Sequence, residues 1–216
     1  MTRVKTCGIA TRGDAQRCAE LGAWALGMIF WPGSPRACPL DVAGEVGAAL
    51  RRRLQLVGVF VNAPLDEVAE VAEVAGLTML QLHGDVGPAY CAEAARRTGC
   101  KVMKAVRVRD AASVRALRAF HTDYHLLDAY VPRSPGGTGE SFNWQLAAVH
   151  TGPSPVVLSG GLTPDNVGEA IQVARPFAVD TASGTEASPG RKDPAKLEAF
   201  FRAVAQADAA LHEAAV

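Results

Sequence analysis

Residues 54–83 read LQLVGVFVNAPLDEVAEVAEVAGLTMLQLH, which predicts a strand, a helix and a second strand in succession. The first strand, 54–61, is almost continuously apolar, as expected of a strand that is covered on both faces. Apolar side chains then recur at helical spacing, at Leu65, Val68, Val71 and Ala75. Gly76 ends the helix before the second strand at 77–83. This order of elements predicts parallel pairing of the two strands through a right-handed crossover.

The same alternation continues in both directions along the chain. Runs typical of strands fall at 4–9, 24–30, 54–61, 77–83, 102–106, 124–128, 156–158 and 177–180. Eight such units predict an α/β fold closed into a (β/α)8 barrel, because an open doubly wound sheet usually has about five or six strands. No linker or change of composition interrupts the pattern, so we expect one catalytic domain over residues 1–216.

Capping residues predict where several helices begin and end. Asp14 is expected to cap the first helix, and the sixth helix is expected to cover 143–150. The seventh helix is expected to start at Thr163-Pro164 and the last at Asp193-Pro194, because proline is favoured in the first helical turn.

Composition limits the classes of partner. The chain has 22 Lys+Arg and 22 Asp+Glu, so no extended basic surface for a nucleic acid is indicated. Five cysteines without a C-x-x-C pair favour a reducing cytoplasm over a disulfide framework or a zinc ribbon. No apolar run approaches the ~20 residues of a membrane helix. We therefore expect a cytoplasmic protein without a membrane partner, and we interpret His121 and His125 as structural rather than as metal ligands.

Two glycine-bearing turns follow the seventh and eighth strands, at Gly160-Gly161 and Ser183-Gly184. The active site of such a barrel lies at the carboxyl ends of its strands, and these two turns often bind phosphate through backbone N–H groups. Either turn alone is readily explained as an ordinary loop. Together they predict a site for a small phosphorylated substrate.

Cys7 lies near the end of the first predicted strand, and Asp128 ends the sixth. A free cysteine is usually core filler, and an aspartate at a strand end often only caps a turn. At the mouth of one barrel, however, they form an acid–base pair that moves protons on one substrate without a metal or cofactor. A base at Cys7 must be a thiolate, and a free thiol has a pKa near ~8.5. Lys5, two residues back on the same face, is a candidate cation for lowering that pKa.

Two further side chains are candidates for substrate binding. Arg36 lies in the loop after the second strand, where its planar guanidinium suits a substrate carboxylate. A lone loop arginine is commonly only solvated, so both interpretations stay open at this point. His83 follows the fourth strand and either bonds the substrate or closes the turn.

Ordered motifs along the chain resemble those of the phosphoribosylanthranilate isomerase family. They are Lys5-Thr6-Cys7-Gly8-Ile9, Ser34-Pro35-Arg36, Val57-Gly58-Val59-Phe60, Gln81-Leu82-His83-Gly84, Leu127-Asp128, Gly136-Gly137-Thr138-Gly139, Leu158-Ser159-Gly160-Gly161 and Asp180 with Ser183-Gly184. The likeness spans nearly the whole chain. It implies an isomerase of tryptophan biosynthesis that catalyses the Amadori rearrangement of N-(5-phosphoribosyl)anthranilate.

The resemblance also implies a role for each candidate. Asp128 would protonate the furanose ring oxygen, and Cys7 would remove the proton from the sugar C2. Arg36 would hold the anthranilate carboxylate, and the two glycine-bearing turns would hold the phosphate. No cofactor is implied, and we expect a monomer or a homodimer.

Three alternatives are weighed against this interpretation. A member of the histidine-pathway aminoaldose isomerase family would be expected to carry a pair of aspartates across the barrel mouth, one of them after the first strand. In this chain the first strand carries Cys7 instead. Lys104 could suggest indole-glycerol-phosphate synthase, but the other motifs of that family do not follow. A noncatalytic phosphosugar-binding barrel stays open from the fold alone, although it would not need both Cys7 and Asp128. One departure from the family pattern, Ala182, is expected to weaken a phosphate contact.

Overall fold

A computed structural model describes residues 1–129 and 144–214 of the chain. Eight parallel strands form a closed barrel in sequence order, with β1 also paired to β8. They are β1 Arg3–Cys7, β2 Ala25–Ile29, β3 Gln55–Val61, β4 Met79–His83, β5 Lys101–Val108, β6 Tyr124–Ala129, β7 Val156–Ser159 and β8 Ala178–Thr181. The predicted (β/α)8 barrel is confirmed. The glycine-rich motif at 136–139 lies outside the described residues.

The helices lie on the outside of the barrel, between consecutive strands. They are α1 Arg12–Glu20, α2 Leu40–Leu50, α3 Leu65–Val74, α4 Pro88–Thr98, α5 Ala111–Arg115, α6 Val167–Ala174 and α7 Pro194–Glu213. Short 3-10 segments cover Ala116–Ala119, Trp144–Val149 and Ser183–Thr185. After the last of these, β9 (Glu186–Ser188) and β10 (Arg191–Lys192) form an antiparallel hairpin.

Two predicted helix starts and one predicted helix type were wrong. Thr11 caps α1, because its hydroxyl accepts from the backbone N–H of Asp14, so Asp14 lies inside the first turn. The described part of the sixth predicted helix is a 3-10 segment, Trp144–Val149. The seventh helix begins at Val167, because the Asn166 side chain bonds back to the Thr163 backbone N–H and holds that residue in the preceding turn. By contrast, Asp193 caps α7 ahead of Pro194, as predicted.

The barrel has an apolar interior and a second apolar layer between strands and helices. Ala25, Val57, Met79, Met103, Ala105, Leu126, Val157 and Ala178 fill the interior. The amino-terminal end is closed by the contacting rings of Trp24, Tyr124 and Phe177. The amino-terminal end of the interior is therefore filled by aromatic rings, and a cavity lined in part by polar side chains lies at the carboxyl ends of the strands. No helix of the described residues is long and apolar enough to cross a bilayer.

Candidate active site

A cavity of about 320 Å³ lies at the carboxyl ends of the barrel strands. Six of the residues selected from the sequence line it, namely Cys7, His83, Asp128, Gly160, Gly161 and Ser183. Arg36 and Gly184 are not among the lining residues, although Ser34 and Ser183, close to them in the chain, are. The rule that places a barrel's site at these strand ends thus selected side chains that meet in one cavity.

The cavity wall has two chemically different sides. An apolar side is formed by Ile29, Trp31, Val59 and Val61, whereas Leu126 lines the cavity from β6, across the barrel from β2. The turns after β7 and β8 form the other side with small residues and backbone, at Ser159, Gly160, Gly161, Ala182 and Ser183. An elongated ligand with one apolar end and one anionic end matches this division.

The glycines of the two turns allow close backbone packing. Gly160 and Gly161 have positive φ angles of 96° and 67°, which residues with a side chain rarely adopt. A Cβ at Gly184 would overlap the carbonyl oxygen of Leu162. Gly184 therefore lets the turn after β8 lie against the turn after β7, and Ser183 is the residue that faces the cavity.

Cys7 is buried at the end of β1, with Lys5 beneath it on the same face of the strand. Lys5 Nζ lies 2.9 Å from Asp180 Oδ1, and Ser159 Oγ donates to Asp180 Oδ2 at 3.0 Å. Burial raises the pKa of the Cys7 thiol; Lys5 opposes that effect and Asp180 adds to it. Lys5, the candidate cation of the sequence analysis, lowers the pKa of Cys7 as expected, but burial outweighs it and the net direction is upward.

Asp128 lies at the end of β6, beside Arg107 of β5 in the strand register. Burial, and then the charge of Asp180, raise the pKa of Asp128 to about 6, against the opposing charges of Arg107 and Lys5. A carboxyl group with this pKa holds a proton in a useful fraction of molecules near neutral pH, as a general acid requires.

His83 is a neutral side chain in this site. Burial is the largest cause that lowers the pKa of His83, to about 4, and the charges of Lys5 and Lys104 act in the same direction. Its Nε2 lies 2.7 Å from Gln81 Nε2, and an amide nitrogen can only donate, so the ring nitrogen accepts. Nδ1 then carries the proton, which leaves His83 able to donate one hydrogen bond without a charge.

Arg36 is held by a buried carboxylate. Its Nε lies 3.0 Å and 2.9 Å from the two carboxylate oxygens of Glu186, and its terminal nitrogen lies 2.9 Å from Oε2. Lys192 also contacts Glu186, at 3.4 Å, and donates to the carbonyl of Ala182 at 2.9 Å. These two cations and one carboxylate carry a net positive charge beside the cavity.

Sequence reasoning assigned no role to Asp180, Arg107 or Glu186. Asp180 and Arg107 both end barrel strands and line the cavity, so the strand-end rule could have found them. Arg107 was missed because β5 continues to Val108, beyond the predicted end at 106. Glu186 lies in the hairpin after β8, where no sequence pattern indicated a contact with Arg36. Among the described residues, no cluster of three or more His, Cys, Asp or Glu side chains could hold a metal ion.

Comparison with known proteins gives a consistent result. The family model for N-(5'phosphoribosyl)anthranilate (PRA) isomerase matches residues 4–203. The N-(5'-phosphoribosyl)anthranilate isomerase of Citrifermentans bemidjiense is 49% identical over 197 residues, which are 91% of this chain and 94% of that protein.

Two solved structures extend the likeness to the fold. One is of monomers derived from the dimeric phosphoribosylanthranilate isomerase of Thermotoga maritima, with 37% identity, a TM-score of 0.81, and coverage of 95% of this chain and 100% of that chain. The other, with the same identity, TM-score and coverage, is a phosphoribosylanthranilate isomerase in complex with reduced 1-(o-carboxyphenylamino)-1-deoxyribulose 5-phosphate. The chain therefore belongs to the phosphoribosylanthranilate isomerase family.

Proposed function

We propose that this cavity catalyses the Amadori rearrangement of N-(5'-phosphoribosyl)anthranilate to 1-(2-carboxyphenylamino)-1-deoxyribulose 5-phosphate, a step of tryptophan biosynthesis. The observation that carries the proposal is the placement of Cys7 and Asp128 in one cavity, on strands separated by the two that bear the glycine turns. This isomerisation requires a base and an acid. The thiol of Cys7 can serve as the base, and the carboxyl group of Asp128, whose pKa is raised, can serve as the acid.

The two sides of the cavity wall set the direction of the substrate. The phosphate binds at Gly160, Gly161 and Ser183, which line the cavity and belong to turns of the kind that bind phosphate through backbone N–H groups. The anthranilate ring packs on the apolar side, next to Trp31. Its carboxylate points to Arg36: a guanidinium carries five N–H donors, and Glu186 engages only part of them. The ribose then lies between Cys7 and Asp128.

The first step opens the ribose ring. Asp128 gives its proton to the furanose oxygen as the bond between that oxygen and C1 breaks. The lone pair of the anthranilate nitrogen forms the C1=N bond, so the intermediate is an iminium ion. His83, as a neutral donor, is suited to a hydrogen bond with a ribose hydroxyl.

The second step transfers a proton from carbon. The Cys7 thiolate takes the proton from C2, and the electrons of that C–H bond form the C1=C2 bond while the nitrogen regains its lone pair. The resulting enolamine takes up a proton at C1 and loses one from the C2 hydroxyl to give the ketone. Each step couples a proton transfer to a shift of electron pairs within the substrate, so the isomerisation needs no redox partner.

We further propose that residues 1–216 form one catalytic domain that works in the cytoplasm. We also propose that the protein is a monomer or a homodimer. Light scattering of the purified protein distinguishes these two states.

The test of the proposed reaction is the change in anthranilate fluorescence after purified protein is added to freshly made phosphoribosylanthranilate. We expect rapid loss of the signal with the parent protein and none above background with Cys7→Ala. Cys91→Ala, which removes a buried thiol from α4, is the matched control and should act like the parent. An inactive parent protein would refute the proposed reaction, and an active Cys7→Ala would refute the base.

A further inference from the structure

Lys5 and Asp180 form an ion pair inside the barrel, and its carboxylate partner, Asp180, lines the cavity. Lys5 is 0% exposed and Asp180 is 4% exposed, and the two residues face each other in the β1–β8 register. Removing two charges from water is costly, and an apolar pair of similar size often gives equal or greater stability. Stability is therefore a poor explanation for this pair, and its position relative to the cavity suggests another.

The positive end of the pair lies against Cys7. The point where a Cβ of Gly27 would stand is 2.7 Å from Cys7 Sγ and 3.0 Å from Lys5 Nζ. The separation of sulfur and nitrogen therefore does not exceed the sum of those distances. Gly27 keeps this point free of atoms, so the ammonium and the thiol share one side of the barrel interior.

The negative end of the pair points around the barrel toward Asp128. Asp180 lies on β8, and its Oδ2 accepts a hydrogen bond from Ser159 of β7. Ser159 in turn faces Asp128 in the β6–β7 register. The order around the barrel is thus Cys7 and Lys5, then Asp180, then Ser159, then Asp128.

We infer that the Lys5–Asp180 ion pair is an oriented charge pair that draws a proton from Cys7 to Asp128, and so favours the thiolate and carboxylic acid that the reaction needs. This inference rests on the proposed function for the roles of Cys7 and Asp128. Lys5 and Asp180 touch no substrate in this scheme and are positioning residues.

Both charges are needed for this effect. A lone ammonium between the two groups would favour the ionised form of each, and a lone carboxylate would favour the neutral form of each. Only an ion pair with its cation toward Cys7 and its anion toward Asp128 acts on them in opposite directions.

The directions of the pKa shifts agree with this geometry. After burial, the effect of Lys5 in lowering the pKa of Cys7 exceeds that of Asp180 in raising it. For Asp128 the order is reversed, since Asp180 raises its pKa by more than Lys5 lowers it. Other charged or titratable groups near these side chains are His83 on β4, Lys104 and Arg107 on β5, Cys18 and Asp14 on α1, Glu186 on β9 and Lys192 on β10.

The test uses the unliganded protein and the double variant Lys5→Met/Asp180→Asn, which removes both charges and leaves neither buried alone. The rate at which iodoacetamide alkylates Cys7, followed by mass spectrometry of the peptide that contains it, reports the fraction of thiolate. We expect this rate at pH 8 to be about tenfold lower in the variant than in the parent, which is equivalent to a rise of about one unit in the pKa of Cys7. Carbon-detected NMR, assigned with Asp128→Asn, should show the titration midpoint of Asp128 falling by about half a unit or more.

Lys104→Met is the matched control, because Lys104 is also a buried lysine of a barrel strand and bonds the Gly84 carbonyl. It should leave Cys7 alkylation unchanged. If the double variant does not fold, Lys5→Met tests the effect on Cys7 and Asp180→Asn tests the effect on Asp128. Unchanged or faster alkylation without Lys5, or an unchanged Asp128 midpoint without Asp180, would overturn the inference.

A kinetic measurement adds the link to activity. Between the two pKa values, the fraction of enzyme with a proton on Asp128 and none on Cys7 does not vary with pH, and it shrinks as the values move apart. The double variant should therefore have a lower pH-independent plateau of kcat/KM than the parent. If the parent protein proves inactive on phosphoribosylanthranilate, the proposed function fails, while the two titrations still decide whether the ion pair acts as inferred.

Discussion

The carboxyl group of Asp128 illustrates how a functional residue costs stability. Burial and the nearby Asp180 carboxylate raise its pKa to about 6. In the unfolded chain an aspartate titrates near ~3.9, so the folded state binds this proton more tightly than the unfolded state does. Below pH ~4 the group is protonated in both states. Above about pH 6 it is charged in both states, and the folded protein carries the full cost of the buried charge.

Asp128→Asn should therefore lose activity and gain stability. An amide cannot protonate the ring oxygen, so turnover should disappear while the phosphorylated product still binds. Urea unfolding should show a gain of up to about 3 kcal/mol at pH 7, which shrinks toward zero near pH 4. Full activity in this variant would refute the role as acid, and equal stability at pH 7 would refute the raised pKa.

The residues of the site could be predicted only in part from the sequence. Cys7 and Asp128 were found because each ends a strand that was predicted within about two residues. Glu186 could not be found, since its contact with Arg36 joins positions 150 residues apart through a hairpin that carries no apolar pattern. The net direction of the Cys7 pKa was also beyond the sequence, because it depends on how completely the barrel excludes water.

At the scale of elements, the hairpin of β9 and β10 contacts both the loop after β2 and the turn after β8. Glu186 holds Arg36, and Lys192 links Glu186 to the Ala182 carbonyl in the turn after β8. Burial lowers the pKa of Lys192, and Glu186 opposes that effect. The hairpin therefore fixes the proposed carboxylate-binding residue relative to the proposed phosphate-binding turn.

Glu186→Gln should weaken substrate binding more than turnover. The amide offers one acceptor oxygen in place of two and carries no charge, so Arg36 loses its pair of charge-assisted hydrogen bonds to this side chain. We expect KM to rise about fivefold to tenfold, as for the loss of one such bond, with kcat within about twofold of the parent. The matched control is Glu198→Gln on α7, whose ion pair with Arg17 lies at an exposed site. An unchanged KM would show that the hairpin does not position Arg36.

Gly184→Ala tests the close packing of the two phosphate turns. The added methyl group would overlap the Leu162 carbonyl, so the turn after β8 must move away from the turn after β7. We expect a loss of about 1–3 kcal/mol in unfolding free energy, together with a higher KM. Gly168→Ala in α6 is the control, because its methyl group meets no atom within 4 Å and alanine favours a helix. Equal stability of the two variants would argue against close packing at Gly184.

At the scale of the whole molecule, closure of the barrel depends on the two ends of the chain. The alternation of strands and helices predicted eight units and hence the closed sheet, because parallel strands buried on both faces leave few other arrangements. The sequence did not indicate how β1, which begins the chain, is held against the last helix. Residues 205–213 belong to α7, and Ala207 packs in the apolar layer outside the barrel.

Asp208 supplies that connection and gives the last prediction. Its carboxylate accepts from the backbone N–H of Thr2 at 2.6 Å and from the Thr2 hydroxyl at 2.7 Å, just before β1 begins. Asp208→Ala should lower the free energy of unfolding by about 1–3 kcal/mol, because it leaves two donors without this partner. KM and kcat should stay near parental values at 25 °C, since the contact lies at the opposite end of the barrel from the cavity. Glu213→Ala, at the end of the same helix, is the control, and urea midpoints compare the three proteins. A parental midpoint for Asp208→Ala would mean that packing of α7 alone holds β1, whereas a changed KM would show that the lower end of β1 also sets the position of Cys7.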